Sequence, residues 1–385
     1  MVDSRFPIVA LCLLLVVAPA VATGGQAAGA ASQATQATPI DSCTVIVQPG
    51  RYVLTGDVRD SSAGPCIVVG SPDVVLDGQG HELNGTGGPG GASHVGVFVR
   101  TAREDANVTL RNLSVVGWGN GLFLSGVSGA TIENVTVREN ALDGVTILGG
   151  TGLALRGATA SDNGRNGVSL FDSSQSTVSG VVASDNGRNG LSVFDGQGLT
   201  VSDLAADGNG FSGLSIVNAS TVTVTGSRLA DNRLRGVLTT QSRDVRLEAT
   251  RVSNNSLAEI TGLGDRNTTG ANVTVDGTRI SFASRNVSLD GTAAPAAPPA
   301  GAANVSGYLV ATPLSEAAAL ELTVHYDDAA LSGVDEATLA LWRYRVDWSR
   351  VNGSIVDAER NAVTGRIDVR GRTTLGAFGN VTATG

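Results

Sequence analysis

Four pairs of residues recur at one interval. Asp172 and Asp195, Asp162 and Asp185, Arg165 and Arg188, and Phe171 and Phe194 are each 23 residues apart, and Asp231 lies further along the Asp162 column. Two carboxylates about 5 Å apart are the equipment of a retaining glycosidase. Guanidinium forks grip the carboxylates of acidic sugars, and an aromatic ring supports a sugar face. The residue types therefore sketch a groove for acidic glycan. Asp172, Asp195 and Arg188 are the candidates for catalysis; Phe171, Phe194, Asp162, Asp185 and Arg165 are the candidates for ligand binding. This chemistry requires a chain that brings residues 23 apart side by side.

The same interval runs through the middle of the sequence. Gly121, Gly144, Gly167, Gly190, Gly213 and Gly236 form one column, and Asn140, Asn163, Asn186, Asn209, Asn232 and Asn255 form another. Ile132, Leu155, Val178, Val201, Val224 and Leu247 form an apolar column, and Val137, Ala160, Ala183, Ala206, Leu229 and Val252 a second. Within a unit the pattern alternates with period two, as Val168 and Leu170 against Ser169 and Phe171 show, so the elements are short strands with one buried face. Three strands per unit, stacked in register about 4.8 Å apart, make a parallel β-helix. The apolar columns then fill a narrow interior. The Asn column forms an internal amide ladder. The Gly column is expected to supply corner backbone angles that side chains forbid.

Composition agrees. The chain has 51 Gly against 8 Phe, 4 Tyr and 3 Trp, as a fold of short strands and turns requires. All 26 basic residues are Arg, and 35 acidic residues leave a net charge of -9, which argues against a nucleic-acid partner. The single Met and 3 His argue against soft-metal binding, and no metal site is expected. Ile8 to Val17 is an apolar run ending near the small-residue site Ala20-Val21-Ala22, so residues 1–22 read as a secretory signal peptide. No transmembrane helix is expected after its removal, and the location is secreted or on the cell surface. In that compartment Cys43 and Cys66 are expected to form a disulfide. Asn-x-Ser/Thr sequons such as those at Asn84, Asn218 and Asn254 are potential glycan sites.

The period weakens at both ends. Residues 23–39 read as a disordered linker, and residues 40–290 as the β-helix with an N-terminal cap. Leu110, Leu113 and Val115 shift the register by one. Downstream, Val273 to Ile280 and Val287 to Leu289 are expected to continue the helix after an insertion at Leu257 to Gly270, for about ten coils in all. Residues 291–303 are an Ala/Pro linker. Residues 304–385, with Tyr308, Tyr326, Trp342, Tyr344, Trp348 and Phe378, read as a small β-sandwich whose rings form its core.

Several stretches carry a family resemblance: Asp41-Ser42-Cys43-Thr44, Pro49-Gly50-Arg51-Tyr52-Val53, Val74-Val75-Leu76-Asp77-Gly78-Gln79-Gly80-His81, and the repeated Asp-Asn-Gly-x-Asn-Gly-Val. They resemble secreted parallel β-helix proteins of the NosD type, related to the pectate-lyase-like superfamily, and in particular haloarchaeal members. The C-terminal stretch is similar to a sandwich module of haloarchaeal surface proteins. The resemblance implies an all-β fold, a right-handed parallel β-helix followed by a sandwich. It also implies a choice of roles: polysaccharide lyase, hydrolase or epimerase, or an accessory in copper-enzyme maturation. His81, His94 and His325 form no ligand-spaced set for the last of these.

Repetition by itself places identical acids on successive rungs, so stacked aspartates are weak evidence for catalysis. The balance falls on a non-catalytic protein that binds acidic polysaccharide or cell-envelope glycan, or serves structurally, with a polysaccharide-active enzyme as the alternative. No cofactor is required; Ca²⁺ would ease the repulsion between stacked carboxylates.

Overall fold

The computed structural model describes residues 37–60, 64–85, 94–101 and 106–382. The signal peptide and all but the last residues of the expected linker lie outside this set. The N-terminal cap begins with the strand Thr38–Ile40, two residues before the expected boundary, because it pairs in parallel with Gly50–Leu54.

The chain winds as a parallel β-helix of about nine turns with three faces. The first face stacks ten strands from Thr44–Ile46 to Ala258–Leu263, among them Val145–Thr151, Val168–Ser174, Leu191–Phe194, Ser212–Val217 and Arg235–Thr240. The second face runs through Ala154–Arg156, Thr177–Ser179, Gln197–Ser202, Ser220–Thr225 and Arg243–Glu248 to Arg266–Val275. The third includes Thr159–Ser161, Val182–Ser184, Ala205–Asp207, Arg228–Ala230 and Arg251–Ser253. Val145, Val168, Leu191, Leu214 and Val237 are direct partners along the first face, and all are fully buried. Each such side chain contributes about 2 kcal/mol relative to exposure. Ile132 pairs with Leu110, 22 residues earlier, which is the one-residue register shift.

The glycine column has a different cause from the one expected. None of its six members has a positive φ. A Cβ on Gly167 would lie 2.8 Å from both Asn186 Nδ2 and the Gly190 carbonyl oxygen, and Gly144 would meet Gly167 and Asn163 similarly. The column is glycine because the next rung's amide ladder leaves no room for a methyl group. The left-handed corners are occupied instead by a mixture of Asp, Asn, Gln and Gly, residues that tolerate or favour that conformation.

The segment from Leu257 to Gly270 is a coil in register, not an insertion. Ile260 pairs with Val237, and Arg266 with Arg243, both at the 23-residue interval. The helix stops one strand later, where the chain reverses at Asp276–Gly277. Thr278–Arg285 then runs antiparallel to Arg266–Val275. At Gly270 the interior apolar column ends, and a Cβ there would lie 2.2 Å from the ring of Phe282. Phe282, from the reversed strand, is 5% exposed and fills the place of the missing side chain.

Two antiparallel ladders grow directly from this end. One continues from Thr278–Arg285 through Ala319–His325 and Ala362–Ile367 to Ile355–Asp357. The other continues from Val287–Thr292 through Tyr308–Pro313 and Thr373–Asn380 to Ala340–Tyr344 and Trp348–Arg350. Val287–Thr292 also pairs antiparallel with the last first-face strand. The C-terminal region therefore shares its sheets with the helix rather than hanging from a linker. The irregular stretch shrinks to residues 293–301, between Val287–Thr292 and Ala302–Asn304. Phe378 is fully buried, and the rings of Tyr308, Trp342 and Trp348 surround it at 6.1, 6.2 and 4.8 Å.

Candidate functional site

The corners place the aspartates. Asp172 (φ 49) and Asp195 (φ 55) share one corner column with Gly149, Asn218, Gln241 and Gly264, all left-handed. Asp162 (φ 56), Asp185 (φ 55) and Asp231 (φ 57) share another with Glu139, Gly208 and Asn254. Asp, Asn and Gly recur at such positions because they reach the left-handed region at little cost. Backbone geometry thus accounts for these acids without catalysis. Asp195 accepts a hydrogen bond from Asn218 Nδ2 on the next rung. A Cβ on Gly208 would lie 2.4 Å from Asp185 Oδ1, so that carboxylate leans over the following rung.

The two corners lie at opposite edges of the first face. Asp172 lies in the C-terminal half of the strand Val168–Ser174 and Asp195 follows Leu191–Phe194, whereas Asp162, Asp185, Arg165 and Arg188 precede those strands. The strand Leu191–Phe194, about 13 Å long, separates Arg188 from Asp195. Phe171 and Phe194 are direct partners, with ring centroids 6.2 Å apart at 47°. Phe194 is 41% exposed. Leu148 and Val217 extend this outward column by one rung each way. Arg165 and Arg188 are exposed, and neither guanidinium has a partner among the described residues.

The Asn column is a continuous buried ladder. Asn163 donates to Asn186 Oδ1 through Nδ2 at 2.9 Å and through its backbone N at 3.1 Å, and also reaches the Val137 carbonyl at 3.2 Å. The ladder starts where the Trp118 backbone N donates to Asn140 Oδ1 at 3.0 Å. A second polar ladder lies on the outer side of the first face. The backbone N of Asn166 donates to Asp143 Oδ1 at 2.9 Å, that of Asn189 to Asn166 Oδ1 at 3.0 Å, and that of Ser212 to Asn189 Oδ1 at 3.2 Å. Its residue type changes along the column, which hid it in the sequence. Cys43 and Cys66 form a disulfide, so their sulfurs are not free to ligate a metal. His81, His94 and His325 stand apart, beside Asp57, Trp118 and Ser281 respectively.

A cleft that sequence reasoning missed lies where the Asn ladder ends. Asn255 has no Asn on the next rung. Its backbone N donates to Glu259 Oε1 at 2.9 Å, and its Nδ2 to Glu259 Oε2. Glu259 stands 23 residues after Gly236, so it breaks the glycine column, and that substitution was the available signal. Glu259 is 1% exposed. Its carboxylate, with those of Asp276 and Asp290, forms a set whose oxygens lie within 4.8 Å of one another and could hold a cation. Burial, assisted by the neighbouring Asp276 and Asp290 charges, pushes Glu259 up to about 7 against the hydrogen bonds from Asn255. Burial and Asp276 also raise Asp290. The cleft encloses about 780 Å³, with Asn255 and Glu259 on one side and Thr278, Ser306 and Tyr308 on the other.

Residues 95–255 and, overlapping them, 184–292 match the family model described as a right-handed β-helix region, just over half of the chain. The chain belongs to the right-handed β-helix family. No curated protein matches this β-helix protein significantly in sequence. Among solved structures it is similar to the Dettilon tailspike protein, at 11% identity and a TM-score of 0.49, covering 89% of this chain and 86% of that one. It is similar to the periplasmic alginate epimerase AlgG at 12% identity and 0.44, covering 61% and 76%. For the A-module of the Azotobacter vinelandii mannuronan C-5 epimerase AlgE4 the values are 16% and 0.43, covering 62% and 84%. Likenesses of this extent carry nothing about activity.

Proposed function

We propose that this β-helix protein is an exported or cell-surface protein that binds acidic glycan along its first face without converting it. The observation that carries the reading is the outward column Leu148, Phe171, Phe194 and Val217, four apolar side chains in register on the first face. Unpartnered Arg165 and Arg188 flank one edge, and Asp172 and Asp195 the other. Stacked rings present a sugar-sized apolar strip, and free guanidiniums suit carboxylate-bearing sugars. The disulfide supports an oxidising compartment. No helix among the described residues is long and apolar enough to cross a membrane. The narrower haloarchaeal, NosD-type kinship belongs to the same reading and draws on the missing Lys and the acidic excess.

A second reading, an enzyme acting on acidic glycans, is favoured by Glu259. A carboxyl group held near pH 7 in a cleft suits general acid–base work. One assay separates the two readings. The mature protein is incubated with a panel of acidic polysaccharides, with and without Ca²⁺, and both retention and product are followed. The binding reading expects retention that falls about tenfold or more in Phe171→Ser/Phe194→Ser, with no new reducing ends, unsaturated uronates or epimerised sugars. Product formation abolished by Glu259→Gln or by Asp172→Asn/Asp195→Asn would establish the enzyme and locate its site.

A further inference from the structure

A second arginine pair, bare like Arg165 and Arg188, lies within a strand ladder rather than in a turn. Arg243 and Arg266 are direct partners on the adjacent strands Arg243–Glu248 and Arg266–Val275. Rung spacing sets their backbones about 4.8 Å apart, and like charges directly opposite each other destabilise a sheet. Both are exposed, and neither guanidinium has a hydrogen bond or ion pair among the described residues. Several neighbours are paired: Arg111 with Asp77 at 2.9 Å, Arg138 with Glu82 at 3.1 Å, Arg246 with Glu248, and Arg228 with Asp207.

A chain with 35 acidic residues does not leave two adjacent arginines bare for want of carboxylates. The acids nearest in sequence are engaged elsewhere. Asp265 is buried and accepts from the Ser242 backbone N and Thr268 Oγ1, each at 3.1 Å. Asp244 Oδ1 accepts from Asn267 Nδ2 at 2.9 Å.

The two arginines border a hollow of about 420 Å³ at the corner between the first and second faces. The rest of its wall is neutral and able to hydrogen-bond, with Asn218, Ser220 and Gln241 alongside Gly264. The corner column that carries Asp172 and Asp195 higher up has here become Asn218, Gln241 and Gly264. The acids of this column cease at Asn218, one rung before the arginines begin at Arg243. The backbone is fixed, because the Arg243 N donates to the Ala219 carbonyl at 3.0 Å and the Arg266 N to the Ser242 carbonyl at 2.9 Å.

We propose that Arg243 and Arg266 form a binding site for an oxyanion carried on a glycan, a carboxylate or a sulfate half-ester, held between the two guanidinium forks with Ser220 and Gln241 as further donors. The proposal rests on the glycan-binding reading and adds to it the group that recognises the acid. The rung of Arg243 lies two rungs beyond that of Phe194, about 10 Å along the helix axis, so one polymer lying along this edge reaches both. Carboxylate and sulfate offer the same acceptor chemistry, and the arms of the test separate them.

The full mature chain is made without N-glycosylation, since Asn218 opens a sequon at the rim. It is titrated with sodium sulfate and with sodium glucuronate at low ionic strength, followed by calorimetry and arginine side-chain NMR. One or both anions are expected to bind at a single site, and whichever binds identifies the source. Arg243→Gln/Arg266→Gln is expected to raise Kd by about tenfold or more, while Arg360→Gln, an exposed arginine of the C-terminal ladders, leaves it unchanged. Arg243→Lys/Arg266→Lys keeps the charge and the fold but loses the fork, and is expected to bind several-fold more weakly. It serves as the readout if the Gln pair melts early. Binding of neither anion, or binding indifferent to both variants, overturns the site. Sulfate or glucuronate bound at the pair by a protein that retains no polysaccharide upholds the site and overturns the glycan reading. Polysaccharide retained by a protein whose small-anion binding ignores these arginines does the reverse.

Discussion

The middle coils and the last coil are built from the same backbone but solve the same problem differently. Between Asn140 and Asn232 every buried amide is satisfied by an identical amide one rung on, and Asp162, Asp172, Asp185, Asp195 and Asp231 sit at left-handed corners. In the last coil no identical partner follows. Glu259 replaces the missing amide, Asp265 enters the interior, Asp290 is half-buried, and all three carboxyls are raised by burial. Repetition therefore marks architecture in this chain, and its interruption marks perturbed chemistry.

The sharpest way to break that comparison is to remove one amide. Asn186 accepts two hydrogen bonds from Asn163 and donates to the Ala160 carbonyl and Asn209 Oδ1. Asn186→Leu strands several buried polar groups and is expected to cost about 4 kcal/mol or more in urea denaturation. The adjacent corner variant Asp185→Asn is expected to stay within about 0.5 kcal/mol. Equal losses in the two would refute the division of labour.

Glycines divide in the same way. Gly167→Ala drives a methyl group into Asn186 Nδ2 and the Gly190 carbonyl and is expected to cost about 2–3 kcal/mol. Gly180 occupies a left-handed corner (φ 60) where a Cβ would make only ordinary contacts, 3.8 Å from the Gly157 backbone N, so Gly180→Ala is expected to cost only about 1 kcal/mol. Reversal of that order in thermal melts would show that backbone angle, not ladder clearance, selects the Gly167 column.

The end of the ladder is tested by pH. A carboxyl raised in the folded state binds its proton more tightly there than in the unfolded chain. Its contribution is therefore full below pH 4.5 and is lost as pH rises through about 7. For Glu259 this amounts to roughly 3 kcal/mol. His94 and His325 are depressed by burial and act in the opposite direction below pH 6.5. The informative quantity is thus the difference between the wild type and Glu259→Gln from pH 4.5 to 8. That difference is expected to change by 1 kcal/mol or more in order of magnitude, with the wild type losing ground as pH rises. A constant difference would place the titration elsewhere.

The smallest expected effect is at the predicted carboxylates themselves. Asp172→Asn/Asp195→Asn keeps residues suited to left-handed corners and is expected to leave the melting temperature within about 1–2 °C. A large loss would mean that the charges, not the corners, hold those rungs.

The coils were legible because four columns of the same residue class recur in register, and identity at a fixed interval needs no knowledge of side-chain placement. The Phe171–Phe194 pair followed from the same arithmetic. What escaped reading was whatever changed along a column. The Asp143, Asn166, Asn189 and Ser212 ladder keeps one residue type for only two rungs, so no column of identity announces it. The coil from Leu257 to Gly270 looked like an insertion because Glu259 and Gly270 replaced the expected Gly and Leu. The Ala/Pro composition around 291–303 suggested separation, yet composition carries no information about which strand Val287–Thr292 will pair with.

The Asn ladder also has a direction. Every rung donates forward, from its amide nitrogen to the oxygen of the next, so one end presents an oxygen and the other a nitrogen. The Trp118 backbone N–H meets the first, and the Glu259 carboxylate meets the second. Both terminators belong to the ends and neither depends on how many rungs lie between them. The protein is in this sense a modular rod whose length is free: a 23-residue unit deleted or duplicated between Asn140 and Asn232 shortens or lengthens the binding face by one rung and leaves both closures chemically intact.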